Sequence, residues 1–213
     1  MSPPDAFAAA RARMVETQLV RRGISDIRVL DAMRTVPRHR FVPADLVDQA
    51  YADHPLSIGC DQTISQPYIV AYMIEHLRLD ADSRVLEVGA GCGYQAAVLA
   101  QLVKQVYAID IVSELATRAA ATLAALEIQN VVVGTRDGRE GWPDHAPFDA
   151  IVVAAAARAV PPALVAQLVP GGRLILPLGE EAFQTLYLIE KGPAARVTER
   201  VLIDVRFVPL VGG

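Results

Sequence analysis

The 213 residues carry 20 Lys and Arg against 24 Asp and Glu, a net charge of −4, so the overall balance does not draw the chain to nucleic acid. At 53% hydrophobic residues and a mean hydropathy of +0.30, mostly through alanine and valine, the chain suits strands buried on both faces, and it has no apolar run long enough to span a bilayer. Cys60 and Cys92 make neither a disulfide framework nor a zinc spacing, His39, His54, His76 and His145 are too scattered for a metal cluster, and residues 1–13 hold no apolar leader core, so a cytoplasmic protein is expected.

A first helix is expected over residues 6–22, with Phe7, Met14, Val15 and Leu19 on its apolar side and Gly23 stopping it. Asp26 caps a second helix over 27–36, which Pro37 ends. Arg34, Arg38, His39 and Arg40 form a local basic cluster, which reads as a solvated surface rather than an RNA contact. Phe41-Val42-Pro43 turns into a short helix from 44 to about 51, after which residues 53–66 have no sustained periodicity and read as loop. Pro67 suits the first position of a helix running through residue 77, which puts Ser65 and Gln66 at that helix's N-terminus. Free N–H groups there favour an anion, and Ser65 either adds a donor to such a site or simply caps the helix. Residues 1–78 are thus a helical extension, and 79–213 form the core of one compact unit.

The core opens with Arg84-Val85-Leu86-Glu87-Val88-Gly89-Ala90-Gly91-Cys92-Gly93-Tyr94, a buried strand, a glycine turn and the start of a helix over 94–103. Glycine tolerates positive φ and has no Cβ, so a ligand can lie against the backbone where strand gives way to helix. A dinucleotide fingerprint needs a third glycine where Tyr94 stands, and Glu87 would repel a pyrophosphate. A cofactor with a cationic amino-acid end and no phosphate fits better, and S-adenosylmethionine is one. A strand over 105–109 then ends in Asp110, about 20 residues after Gly89, the offset at which an acid meets a ribose diol.

A helix from Ser113 or Glu114 to about 127 and a strand over 130–134 lead to Asp137-Gly138, which reads equally as an adenine contact or a plain turn. The apolar strand 148–153 empties into Ala154 to Ala157, small side chains that leave room for a substrate at a strand exit. A helix over 161–169 and a turn at Pro170-Gly171-Gly172 precede a strand over 173–177. Strands over 185–190 and 200–208 follow through links too short for crossover helices, so they pair antiparallel. The fold class is α/β: a doubly wound, mostly parallel seven-stranded sheet with antiparallel C-terminal strands.

Several runs, among them Met14-Val15-Glu16-Thr17-Gln18-Leu19, Val36-Pro37-Arg38-His39-Arg40-Phe41-Val42-Pro43, Gln62-Thr63-Ile64-Ser65-Gln66-Pro67-Tyr68, the glycine turn and Val205-Arg206-Phe207-Val208-Pro209-Leu210, resemble the protein-L-isoaspartate O-methyltransferase family. The resemblance spans roughly residues 14–211 and implies the S-adenosylmethionine-dependent methyltransferase fold. It implies Ser65 as the active-site serine, with Ile64, Ala154 and Ala155 beside it at the substrate. It implies cofactor contacts at Ile58, Gly59, Cys60 and Asp61, at Glu87, Gly89, Gly91 and Gly93, and at Asp110, Ile111, Asp137 and Gly138. The implied substrate is the free α-carboxylate of an L-isoaspartyl residue in a damaged protein or peptide, whose methyl ester collapses without the enzyme to a succinimide. No nucleic acid, membrane or metal takes part, and a monomer is expected.

The chain departs from the family's pattern at three places. Cys60-Asp61 stands where many bacterial relatives have an aromatic or His followed by Gly, Ala154 replaces a frequent Thr, and Arg158 replaces a frequent Pro. Two competing classes are a methyltransferase of a small molecule or RNA, and a binding module that has kept the fold and lost activity.

Overall fold

The computed structural model describes residues 6–180 and 183–212. Residues 1–5 of the expected extension, and 181 and 182 in the expected link after the strand over 173–177, lie outside the described residues.

The N-terminal helical stretch changes character as it runs, from α1 (Ala8–Met14) to a π-helical turn (Val15–Leu19) and a 3₁₀ turn (Val20–Arg22). Gly23 ends it at φ +94°, a conformation that glycine adopts without strain. Asp26 caps α2 (Ile27–Thr35) by accepting the Arg28 N–H at 2.9 Å, as the sequence indicates. The expected loop at 53–66 instead contains a small antiparallel hairpin, β1 (Leu56–Gly59) and β2 (Gln62–Ile64). Leu56, Ile58 and Ile64 point into the core, so the pairing is driven by period-2 burial over a span too short to stand out in the sequence. Its two-residue turn needs positive φ at both positions, and Cys60 (φ 53°) and Asp61 (φ 56°) supply it. Asp tolerates that region better than Cys does. The helix α3 (Pro67–Leu77) begins on its proline.

The main sheet has the order β5-β4-β3-β6-β7-β8-β9. It is built from β3 (Arg84–Val88), β4 (Gln105–Asp110), β5 (Val131–Thr135), β6 (Phe148–Val153), β7 (Leu168–Glu180), β8 (Phe183–Lys191) and β9 (Val197–Val205). The first five are parallel, and β8 and β9 return antiparallel, so the short links do behave as hairpins. The helices α4 (Tyr94–Ala100), α5 (Ser113–Ala125) and α6 (Pro162–Ala166) lie between parallel strands.

Along β3 the faces alternate. Val85 packs with the N-terminal helices around Met14, Met33 and Tyr94, whereas Leu86 and Val88 pack on the other side with Phe148, Ile151 and Leu174. The expected helix over 161–169 is cut to five residues, because Leu168 is drawn into β7 opposite Phe148 and the Pro170-Gly171-Gly172 turn becomes an irregular part of that strand. The last strand lies three residues earlier than expected at each end, and the segment after it crosses to the parallel side. There the Ala156 N–H donates to Val208 O at 2.8 Å and the Leu210 N–H to Ala156 O at 2.7 Å.

Buried Gln184 fastens that segment, accepting the Phe207 N–H at 2.6 Å and donating to the Phe207 carbonyl at 3.0 Å. Replacing Gln184 by Ala leaves both backbone groups without that partner, so Gln184→Ala is expected to cost about 1–3 kcal/mol in denaturant unfolding. Amide exchange at Phe207 should accelerate well beyond that of the central strands.

Candidate active site

Strand order reverses between β3 and β6, so the crevice beyond their carboxyl ends is where an open α/β sheet takes its ligand. The glycine turn sits there with Gly89, Gly91 and Gly93 at φ +86°, +54° and +87°. A Cβ on Gly93 would come within 3.1 Å of Ala119, and one on Gly91 within 3.3 Å of Ile58, which ties the turn to α5 and to the β1–β2 hairpin. Four of the turn's own donors are already used. The Gly89 and Ala90 N–H groups go to Ile109 O at 2.8 and 3.0 Å, Gly93 N–H goes to Ala90 O, and Gly91 N–H goes to the Asp110 carboxylate at 2.8 Å. A phosphate cradle needs those groups free, so the turn is not built for a pyrophosphate.

Asp110 also accepts the Val112 N–H at 2.9 Å through its other oxygen, which leaves each oxygen one lone pair toward the crevice. Glu87, next to the turn and 1% exposed, has a carboxylate oxygen without a hydrogen-bond partner among the described residues. Burial, and secondarily the nearby Asp110 charge, push its pKa well above the usual carboxylate value. Glu87 lines neither of the two clefts beside the turn.

A cleft of about 460 Å³, counting its open mouth, runs along Gly89, Asp110, Ile111, Gly138, Ala154 and Leu210. A wider one of about 1210 Å³, counting its open mouth, is walled by Thr63, Ser65, Gln66, Gly91 and Phe207. The two share Gln62, Ala154 and Val208. Ser65 lies between β2 and α3. The N-cap residue of α3 is Gln66, and the Ser65 hydroxyl makes no hydrogen bond among the described residues, so the capping alternative does not hold.

Other expected residues fall differently. Ile64 is in the core, and Ala155 lines the narrow cleft only. Gly59, Cys60 and Asp61 are at the exposed hairpin tip and line neither cleft, while Ile58 beneath them reaches Gly91. Both Asp137 oxygens are taken up by Arg139, with contacts of 2.9 Å from its N–H and 2.6 Å from its guanidinium. Gly138 is obligatory for packing, since a Cβ there would meet Val88 Cγ1 at 2.3 Å. Of the basic cluster, Arg34 and Arg40 are exposed, but Arg38 is fully buried, which corrects its reading as solvated surface. Gln62, Phe207, Val208 and Leu210 were not singled out as site residues. Their only sequence signal is membership of the family-like runs, because their placement depends on contacts between distant strands.

The reversal in strand order, the acid-and-glycine turn closed onto Ile109 and Asp110, and the Asp110 carboxylate lining the narrow cleft define the class of an S-adenosylmethionine-dependent methyltransferase with a doubly wound α/β fold. The family model for protein-L-isoaspartate(D-aspartate) O-methyltransferase matches residues 10–213, and the chain belongs to that family.

It is 54% identical to protein-L-isoaspartate O-methyltransferase 1 of Syntrophobacter fumaroxidans, over 97% of this chain and 96% of the relative. A solved protein-L-isoaspartate O-methyltransferase superposes with a TM-score of 0.86 at 29% identity, over 95% of this chain and 66% of that one. A second, from Plasmodium falciparum and in complex with S-adenosyl-L-homocysteine, gives 0.82 at 28% identity, over 94% of this chain and 98% of that one.

Glu87 makes stability depend on pH with a definite sign. Its folded-state pKa lies above the reference value of 4.5, so above that pH the folded protein binds more protons than the unfolded chain, and stability falls as pH rises through the raised value. In unfolding experiments from about pH 4 to 8 without ligand, Glu87→Gln is expected to gain stability relative to the parent as pH rises, because it removes this loss.

Proposed function

We propose that this protein moves the methyl group of S-adenosylmethionine to the free α-carboxylate of L-isoaspartyl residues in damaged proteins and peptides. The observation that carries the reading is the junction of the two clefts at Gln62, Ala154 and Val208, with the Asp110 carboxylate lining one cleft and Ser65, its hydroxyl unpartnered among the described residues, lining the other. When bound, S-adenosylmethionine supplies a methyl carbon made electrophilic by its sulfonium. Glu87 would face the ammonium of the cofactor's amino-acid end, Asp110 would accept from the ribose diol, and Ile111 with Gly138 would border the adenine. Asp137, saturated by Arg139, fits the plain-turn reading.

On the acceptor side, an α-carboxylate with a reference pKa of about 3.5 is ionised at neutral pH, so no general base is required. What the chain must do is position it. The Ser65 hydroxyl, at the N-terminus of α3 where helix N–H groups have no intrahelical partner, would orient one carboxylate oxygen toward the cofactor cleft. Ala154 is the small side chain where both ligands meet, and it leaves room for the line of oxygen, methyl carbon and sulfur. The ester so made is activated for attack by the neighbouring backbone nitrogen, which expels methanol and gives the succinimide.

The same reading takes the chain to be a monomer acting in the cytoplasm without nucleic acid or membrane. The net charge of −4 and the free state of Cys60 and Cys92 support it.

The test is methyl transfer to an isoaspartyl peptide against its aspartyl isomer, followed by treatment of the product with mild base. A base-labile methyl on the isoaspartyl peptide alone is expected, whereas stable N-methyl product or transfer to RNA would replace this reading. Ser65→Ala is expected to lower turnover of the isoaspartyl peptide roughly ten- to a hundredfold, the worth of a hydrogen bond to a charged group. Unchanged turnover would remove Ser65 from the mechanism.

A further inference from the structure

We infer that Arg38 is a positioning residue for methyl transfer: its buried guanidinium fixes the peptide that carries Ser65 and seats it against the glycine turn. The inference rests on the proposed role of the Ser65 hydroxyl and extends it to a residue that lies in neither cleft.

Arg38 has no solvent exposure, and no carboxylate lies within ion-pair distance of it among the described residues. Burying an unpaired cation is costly, and a long aliphatic side chain would fill the same space without that cost. Its contacts indicate what the charge does. Nε donates to the Ala50 carbonyl at 2.7 Å, and Nη2 donates to the Ser65 carbonyl at 2.8 Å. The guanidinium also lies 4.8 Å from the ring centroid of Tyr94, the residue directly after Gly93. Nη1 is buried and donates to nothing among the described residues.

One planar group therefore joins three segments that are remote in sequence: the loop at Ala50, the serine turn, and the first residue of α4. Hydrogen bonds from an ionised donor are roughly twice as strong as neutral ones, and the guanidinium fork fixes direction as well as distance. Holding the Ser65 carbonyl restricts the backbone torsions on either side of it and so restricts where Oγ points. The Tyr94 ring is itself buried, its hydroxyl donating to Met33 Sδ at 3.6 Å. The Ser65 hydroxyl has no partner of its own among the described residues, so this backbone anchor stands in for the side-chain hydrogen bond that would otherwise orient it.

A residue that only staples the fold would affect cofactor and peptide alike, and its effect would not depend on the serine. Arg38→Lys keeps the charge and loses the fork, and Arg38→Met loses both. Rates with an isoaspartyl peptide should be measured for Arg38→Lys, Ser65→Ala and the double variant, with the Michaelis constant for S-adenosylmethionine determined in each.

Arg38→Lys is expected to lower kcat/KM for the peptide about tenfold while the cofactor constant stays within about twofold. In the Ser65→Ala background the same substitution should cost less than about twofold, because the group it positions is gone. Arg38→Met should fall below Arg38→Lys. If it does not fold, the Lys variant and the cycle still decide the matter. An undiminished Arg38→Lys loss in the Ser65→Ala background, or a cofactor constant that rises in step with the peptide's, would overturn the inference and leave Ser65 in its role. Full turnover by Ser65→Ala alone would instead overturn the reading of the serine itself.

Discussion

A carboxylate buried without a partner at the carboxyl end of the central strand is the constraint around which the molecule is arranged. Glu87 lies in β3 with β4 on one side and β6 on the other, so no solvent can reach it laterally, and one of its oxygens has no hydrogen bond among the described residues. Such a group raises the energy of the ligand-free fold. The glycine turn beside it is closed onto Ile109 and Asp110 by the N–H groups of Gly89, Ala90 and Gly91, so these donors are not turned toward an anion. Charge and geometry together select a cationic, phosphate-free cofactor over a dinucleotide.

The wider cleft is assembled from parts far apart in the chain. Ser65 comes from the extension, Ala154 from the exit of β6, and Phe207 and Val208 from the segment after the last strand. The antiparallel return of β8 and β9 has a functional consequence, since it brings the C-terminal segment back over the parallel half of the sheet, where Ala156 and Gln184 fasten it. Methyl transfer needs little from side-chain acid–base chemistry, because the acceptor is already ionised and the leaving group is neutral once it departs. Alignment carries the burden, and alignment is supplied by buried, directional contacts such as those of Arg38 to Ala50 and Ser65.

Much of this was legible in the residues. The core strands are short apolar runs bounded by turn residues, and the links around β8 are too short for helices, so the doubly wound sheet with an antiparallel end could be read directly. Glu87, the three glycines and Asp110 were legible because one local strand–turn–helix unit and one fixed offset define them. The β1–β2 hairpin was not, since three or four residues of alternation carry no statistical weight alone. The early start of β7 was hidden because Leu168 obeys its pairing with Phe148 rather than its helical neighbours. Arg38 was misread for a similar reason: in sequence it belongs to a run of cations, and only the folded chain puts two carbonyls and an aromatic ring around it.

The sequence by itself determined the class of fold, the glycine turn after the first core strand and the acid at the end of the next strand, because each follows from periodicity, glycine's freedom at positive φ, or spacing within one unit. Tertiary structure alone decided that the guanidinium of Arg38 reaches the carbonyls of Ala50 and Ser65, and that the two clefts meet at Gln62, Ala154 and Val208. Those outcomes depend on distances between segments separated by tens to more than a hundred positions, and such distances are fixed only when the two faces of the sheet are packed.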